Sequence, residues 1–595
     1  MLVHSMNDIF IKVNNQEIKT QENLPLGIAL YKAGITYYEN SFKFNRPRGA
    51  LSFEWWSPER IYVEDYGPVN HYLMKTKDGL SIKIEKRTLQ RLFMEIASPY
   101  LKVGFQHNRF FRSKIGWSIA WKLMKHSLPN PQIPERIKDI KNLSPIIIET
   151  DVIVIGSGIG GLSAALGASS VGAKVVVLEG DDILGGHLGY DHVLIEKLNK
   201  SGSEIIQDLL QEAERFKINI IKGTALTAIL DDAWIGIQFN EPSGIPVLVK
   251  SKSVVIASGA REILTIFGNN DLPGIILGSS ALKLLNVYKA SIGRNISVIG
   301  SSNWAARIAI QFSMQGFNTT LISTTDNISE FYAKQIINYG VRHIKGYRII
   351  EAIGTNHVTG IRITNDKDNF NIDTDAIILA SMRSPAIELP GQIGIPLGFH
   401  IKLGGFVPIH GWSGETVIHN VFVAGELGGI IDESALIPLS KAAGLNAAFA
   451  SGIKISEKYL ETFVDEGKHM LSSDNHSALE ELVKSFEHNE ILNVSGDNTE
   501  VLQNTLHKRS FLCPCMDITT DDIKNMIKKL GWFDMEKIKR YSGLGTGRCQ
   551  GKYCSLASTL YISAISNVDP IQVGMFKLRP PATPISLSVI GGFEQ

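Results

Sequence analysis

Cysteine is almost missing from this chain. Four occur in 595 residues, at Cys513, Cys515, Cys549 and Cys554, and none stands before position 513. No redox-active thiol pair can therefore sit in the glycine-rich centre of the chain, which excludes disulfide reductase chemistry. An excess of charge is also lacking. Sixty basic residues against 59 acidic ones leave a formal +1, so no overall field draws in DNA, RNA or anionic lipid, and no nucleic-acid partner is expected. No run of 18 uninterrupted apolar residues occurs, which predicts no membrane-spanning helix. The opening residues, MLVHSMNDIFIKVNN, show no basic stretch followed by an apolar core, so no secretory signal is expected. These absences predict a cytoplasmic chain, in surroundings that disfavour disulfides. The 15 histidines form no HExxH helix, and no catalytic triad is found.

What is present is aliphatic and rich in glycine. A hydrophobic fraction of 44% with 54 glycines fits an α/β protein with large buried cores, and the length allows about three to five domains. Residues 1–95 alternate short β-like runs with turns and one helical stretch, PLGIALYKAG, and read as a small β-rich domain. Residues 96–148 are aromatic and basic, with patchy helical periodicity, and end in the linker-like LPNPQIP. From 149 the character changes to TDVIVIGSGIGGLSAALGASSVGAKVVVLEG: an apolar strand, a glycine turn, a small-residue helix and a second strand. A similar unit, RNISVIGSSNWAARIAIQFSMQGFNTTLIST, begins about 144 residues later. Two such units one domain length apart predict a pseudo-repeat of two nucleotide-binding folds. A charged helical connector is expected over 456–505, and a cysteine-bearing unit over 506–595.

The first unit carries Gly156, Gly158, Gly160 and Gly161 directly after DVIVI. Gly156 permits the tight turn, Gly158 lets the backbone approach a pyrophosphate, and Gly161 lets helix and strand pack closely. The helix start supplies amides and a positive dipole end for phosphate. Glu179 follows VVVL, 18 residues after Gly161, where a carboxylate can accept both ribose hydroxyls. The second unit departs from this pattern. Its turn reads Gly300, Ser301, Ser302, Asn303, Trp304, Ala305, so a Cβ at 302 and the bulk of Trp304 crowd an incoming pyrophosphate. Ser323 and Thr324 stand where an NAD site wants an acid and an NADP site an arginine. A retained scaffold is the favoured reading there. His187 and His192 read as local hydrogen bonders.

The cysteines are spaced C-x-C, 33 residues, C-x4-C. Four thiolates so placed suit zinc or a 2Fe-2S cluster, and the C-x-C pair fits structural zinc less well. The SGLGTGR run before Cys549 offers backbone amides to cluster sulfurs. Lys43, Arg46 and Arg48 read either as a phosphate site or as partners for acidic neighbours.

Two resemblances rest on these residues. LGGHL, with Gly185 and Gly186, SVVIASGAREIL, with Gly259, and HNVFVAGELGG, with Gly425 and Glu426, look like the two-dinucleotide-domain flavoproteins of the glutathione-reductase type. Glu426 stands where that superfamily usually has Asp. DITTDDI, IKRYSGLGTGRCQGKYC and RPPATPISL are similar to the α subunits of the sarcosine oxidase, proline dehydrogenase, opine oxidase and hydrogen cyanide synthase group, with a BFD-like cluster domain. ENSFKFNRPRGALS resembles that group's ferredoxin-like β-grasp segment, without the cysteines that follow it in cluster-bearing members.

The implied fold class is α/β: two Rossmann-like dinucleotide-binding domains, the second (291–395) inserted in the first (149–290 and 396–455), preceded by a degenerate β-grasp domain and followed by a small helical cluster domain. The resemblance implies FAD, or NAD or another adenine nucleotide, in the first fold. It implies a 2Fe-2S cluster on Cys513, Cys515, Cys549 and Cys554, and FMN at a subunit interface, with Arg579 facing its phosphate. The implied partner is an FAD-containing, glycine/D-amino-acid-oxidase-like β subunit that oxidises a secondary amine or amino acid, and the group admits further small ferredoxin-like subunits. The chain itself then reads as an electron-transfer subunit. Two alternatives stand beside it: an NAD(P)H-dependent flavoprotein reductase feeding its own cluster, and a zinc-stabilised nucleotide-binding scaffold.

Overall fold

The computed structural model of the chain describes residues 7–84 apart from 42 and 45, a few isolated positions between 103 and 122, and residues 144–230, 233–239 and 244–585. Most of the segment read as a helical linker, 96–148, lies outside the described residues.

Strict alternation builds the first unit. In β1 (Asp8–Val13) Ile9, Ile11 and Val13 point inward and the residues between them face solvent. β1 pairs antiparallel with β2 (Gln16–Gln21). A short helix, α1 (Leu26–Lys32), buries all of Leu26 to Tyr31. With β3 (Arg60–Val63), β4 (Gly67–Asn70) and β5 (Ser81–Lys83) the sheet runs in the order β2-β1-β5-β3-β4, and β1 and β5 are parallel.

The apolar runs of the centre make strands buried on both faces, as parallel strands are. β6 (Ile146–Ile155) leads to α2 (Ile159–Ser170) and β7 (Val175–Leu178). After α3 (Gly202–Arg215) come β8 (Asn219–Ile221), β9 (Thr224–Leu230), β10 (Ala233–Gln238) and β11 (Ile245–Ile256). They form one sheet in the order β8-β7-β6-β11-β10-β9.

The chain then leaves this sheet and builds a second, parallel one from β12 (Ile275–Leu277), β13 (Asn295–Ile299), α4 (Asn303–Met314), β14 (Asn318–Ser323), β15 (Arg342–Lys345) and β16 (Ala376–Leu379). Its order is β12-β16-β13-β14-β15. It returns with β17 (Val421–Val423), which pairs parallel with β11, Val254 beside Val421. The next helix, α5 (Glu433–Ala450), lies on α2. The two approach so closely that a Cβ on Gly444 would strike the Ala164 carbonyl, and one on Gly167 the Lys441 carbonyl. The small residues of both helices serve this contact.

At the end of the chain, β18 (Phe511–Cys513) and β19 (Ile518–Thr519) form a hairpin, followed by α6 (Thr520–Leu530), α7 (Met535–Ser542) and α8 (Ser555–Ser566). Asn270 clamps this unit to the centre, donating to the Phe511 carbonyl and accepting its amide, both at 2.9 Å. Arg48 from the first unit bridges Asp271 of the centre and Asp517 of the cysteine unit. Arg46 pairs with Asp271 at 2.7 Å and Lys43 with Asp522 at 3.2 Å. Of the two readings of these cations, partnership with acidic neighbours is the one the structure displays.

Candidate functional site

The glycine turn after β6 is built by close approach. Gly156 has φ of +104°, and a Cβ there would strike the Ala257 carbonyl; one on Gly161 would strike the Gly156 carbonyl, and one on Gly160 would stand 2.6 Å from the Gly425 amide nitrogen. Gly158 differs, since a Cβ there meets nothing within 4 Å. It faces open space at the start of α2, which no side chain caps, leaving amides for an anion. Gly156, Gly158, Gly160, Gly185, Gly186, Gly259 and Gly425 all line one cavity, as do Glu179 and Glu426. Gly161 lies behind its wall, as a packing glycine should.

Glu179 ends β7 beside the turn. One carboxylate oxygen accepts from the amide and hydroxyl of Ser157 (2.9 and 2.7 Å), and the other from the Asp181 amide (2.9 Å). Burial still holds its pKa above the ordinary value. At the other end Glu426 forms a buried two-pronged pair with Arg383, Nη2 to Oε2 at 2.8 Å. Arg383 also lies 3.1 Å from each ring nitrogen of His187. The Trp304 ring, which the sequence placed in the way of a second pyrophosphate, packs edge-on against His187 at 5.1 Å and donates from Nε1 to Glu262 (3.2 Å). His192 bonds locally to Ser203 (2.9 Å).

The first unit also reaches the cavity. Glu54, Trp55 and Trp56 line it, carried by the loop that follows the RPRG stretch. Lys283, fully buried, joins Glu54 (2.5 Å) to Asp181 (2.7 Å), and Tyr72 donates to Asp181 (2.9 Å). Burial pushes the Glu54 carboxyl up to about 7 against the pull of Lys283. These residues, with Arg383, escaped sequence reasoning. Their one signal was the aromatic pair at 55 and 56, just where cluster cysteines are missing.

In the second fold, Ser302 caps its own helix by accepting the Ala305 amide (3.4 Å), and Ser301 accepts the Thr325 amide (3.2 Å). Glu500 of the connector lies against the Ser301 amide and hydroxyl. Groups that a pyrophosphate would use are thus engaged within the chain.

The four cysteines come together. Cys513 neighbours Cys515 and Cys554, and Cys549 neighbours the same two, which closes a ring of thiols. Cys515 lies at the surface and the other three are buried; Cys515 and Cys549 sulfurs are 3.7 Å apart. Amides of Gly545 point to Cys513, and those of Gly551 and Tyr553 to Cys549; donors so placed favour thiolates. Gly547 lets the loops meet, since a Cβ there would stand 2.5 Å from Cys515 Cβ. Among the described residues, no three or more His, Cys, Asp or Glu side chains are arranged round a single metal position. Four soft sulfur donors with inward amides are the chemistry a 2Fe-2S cluster takes. Arg579 is exposed and outside the cavity; its carbonyl accepts from Gln392 (3.1 Å).

Comparison with known proteins follows this division. Residues 150–440 match the pyridine nucleotide-disulphide oxidoreductase family, and residues 507–592 the sarcosine oxidase A3 domain. The chain is 26% identical over 478 residues to the sarcosine oxidase alpha subunit of Corynebacterium sp. strain U-96, covering 75% of this chain and 45% of that one. It is 23% identical over 474 residues to the opine oxidase A subunit of Agrobacterium tumefaciens strain Ach5, covering 74% and 90%. The chain is thus similar, over about three quarters of its length, to the α-type subunits of sarcosine oxidase and opine oxidase. A likeness of fold extends over the whole length: L-proline dehydrogenase from P. horikoshii superposes with a TM-score of 0.70 at 20% identity, covering 99% of this chain and 98% of that one. The chain spans less than half the length of the Corynebacterium proteins. No helix among the described residues is long and apolar enough to cross a membrane.

Proposed function

We propose that this chain is the electron-transfer subunit of a heteromeric flavin-dependent dehydrogenase or oxidase acting on a secondary amine or amino acid. One observation carries the reading. Lys552, between Cys549 and Cys554, lines the same cavity as the glycine turn and Glu179, so the thiol ring and the nucleotide cavity share a wall. Cys513, Cys515, Cys549 and Cys554 would hold a 2Fe-2S cluster, which when bound supplies one-electron storage. The amides of Gly545, Gly551 and Tyr553 stabilise the thiolates. Gly156 to Gly160 and the start of α2 would hold the pyrophosphate of FAD, NAD or another adenine nucleotide, and Glu179 its ribose. Amine oxidation belongs to a partner β subunit carrying its own FAD, with FMN at the interface.

The test is the cofactor inventory of the purified chain: visible spectrum, iron, acid-labile sulfide, zinc and released nucleotide. About two irons and two sulfides per chain with an adenine nucleotide are expected. Stoichiometric zinc without sulfide would overturn the cluster and leave a nucleotide-binding scaffold.

A further inference from the structure

The order of strands fixes where a bound nucleotide places its parts. Along the edge of the central sheet β6, β7 and β8 are neighbours. The glycine turn follows β6, Glu179 follows β7, and the segment beginning at Thr224 follows β8. Thr224 is tied to Glu179, its amide donating to the Glu179 carbonyl at 2.7 Å. A pyrophosphate at the helix start and a ribose at Glu179 therefore leave the base one strand further on, between Gly180 and the residues Thr224, Ala225 and Leu226, which all line the cavity.

That place is roofed by the first unit. The Trp55 ring lies on Gly180, where a Cβ would stand 2.6 Å from Nε1. It also meets the Phe239 ring at 5.5 Å with a tilt of 39°. Trp55 is half-buried and lines the cavity, so one part of the indole packs on protein while another borders open space. Its loop is held firmly. Asn70 donates to the carbonyls of Trp55 (3.2 Å) and Ser57 (3.0 Å). Glu54 is locked to Asp181 through Lys283. Asp181 in turn donates its amide to Glu179, so the ribose-side loop and the tryptophan loop form one rigid piece.

We propose that Trp55 is the stacking residue for the base of the nucleotide, which makes the N-terminal unit part of the nucleotide site. This rests on the reading of the cavity as an adenine-nucleotide site. A flat aromatic face recognises the π-surface of a purine without reading its edge. Adenine fits, because it is the base shared by FAD, NAD and ATP.

The experiment uses the full-length chain, stripped of copurified nucleotide, with ADP and the fluorescent etheno-ADP as probes, in the parent and in Trp55→Phe, Trp55→Leu and Trp55→Ala. The parent is expected to bind both probes and to quench etheno-ADP. Trp55→Phe keeps a stacking face, so it keeps the quenching and most of the affinity. Trp55→Leu fills the space against Gly180 without an aromatic face. It should bind ADP roughly 10- to 100-fold more weakly, as loss of base stacking does, and leave bound etheno-ADP bright. Trp55→Ala should do the same, and where it fails to fold Trp55→Leu decides. Parent-like affinity and quenching in Trp55→Leu would overturn the role of Trp55 while leaving the nucleotide site standing. A parent chain that binds neither probe would overturn both.

Discussion

Trp56 and Tyr553 meet edge to face, their ring centroids 5.7 Å apart. Trp56 belongs to the loop that the first unit sends into the nucleotide cavity, and Tyr553 directly precedes Cys554. Two segments far apart in the chain, one at the cavity and one at the thiol ring, thus share a contact. Changes on the cysteine side should register both in metal content and in stability.

Cys549→Ser removes one corner of the thiol ring and replaces a soft donor by a poor one. Iron and sulfide are expected to fall to a small fraction of the parent's, with loss of visible absorption. The melting temperature should fall too, because a cluster that binds only the folded chain stabilises it. Iron and sulfide assays with a thermal melt check both.

Gly158→Ala and Gly160→Ala separate binding from folding. At 158 the backbone is ordinary, φ −67°, and an added methyl points into open space. The variant should fold with parent-like stability and bind ADP at least about tenfold more weakly, as the methyl takes up the phosphate's approach. At 160 the methyl would collide with the Gly425 backbone, which costs roughly 1–3 kcal/mol. Urea unfolding beside ADP titration distinguishes the two.

Arg383→Met strands Glu426 in a buried place. Loss of one partner of a buried pair costs about 3–5 kcal/mol, and Glu426→Gln in the same chain should restore part of it. Burial already raises the Glu426 pKa while Arg383 lowers it. Without the arginine the folded-state pKa rises further above its unfolded value. The carboxyl is then protonated in the fold before it is in the unfolded chain, and stability drops as pH rises above about 4.5. Denaturant midpoints at pH 5 and pH 8 show whether the penalty is larger at the higher pH.

His71 sets an acid limit. It is completely buried, stacked edge-on to Phe53 at 5.3 Å, and burial brings its pKa down to about 3. Its nearest carboxylate, Glu59 at 3.8 Å, is itself pushed by burial up to about 8, so it stays protonated and offers no counter-charge. The unfolded chain takes up a proton below about pH 6.5 that the fold refuses until about pH 3. The contribution of His71 to stability therefore falls by up to about 1.4 kcal/mol per pH unit on acidification through that window, while Glu59, protonated first in the fold, contributes the opposite slope down to about pH 4.5. His71→Leu should remove the His71 contribution, so that the variant gains stability relative to the parent as pH falls from 7 to 4, read by melts of both chains across that range.

Much of the site was legible because its signals are local. Gly156 to Gly161 and Glu179 lie within one strand-helix-strand unit, where spacing along the chain is also spacing in space. Four cysteines concentrated in the last sixth of the chain point to one another for the same reason. Lys43, Arg46 and Arg48 were ambiguous in sequence, since a cationic stretch does not name its anion; Asp271, Asp517 and Asp522, hundreds of residues away, supplied it.

By itself the sequence determined the strand-turn-helix pattern, the glycines that a close backbone approach demands and the concentration of all four thiols in one segment. Each follows from periodicity or from the absence of a Cβ. Only the tertiary structure decided that Lys283 would join Glu54 to Asp181, that Arg383 would face Glu426, that Lys552 would wall the nucleotide cavity and that Trp55 would roof it. A buried charge or an aromatic face takes its meaning from what desolvates it and what lies opposite. Residues 102 and 229 positions away, as for Lys283, leave no trace in the local pattern.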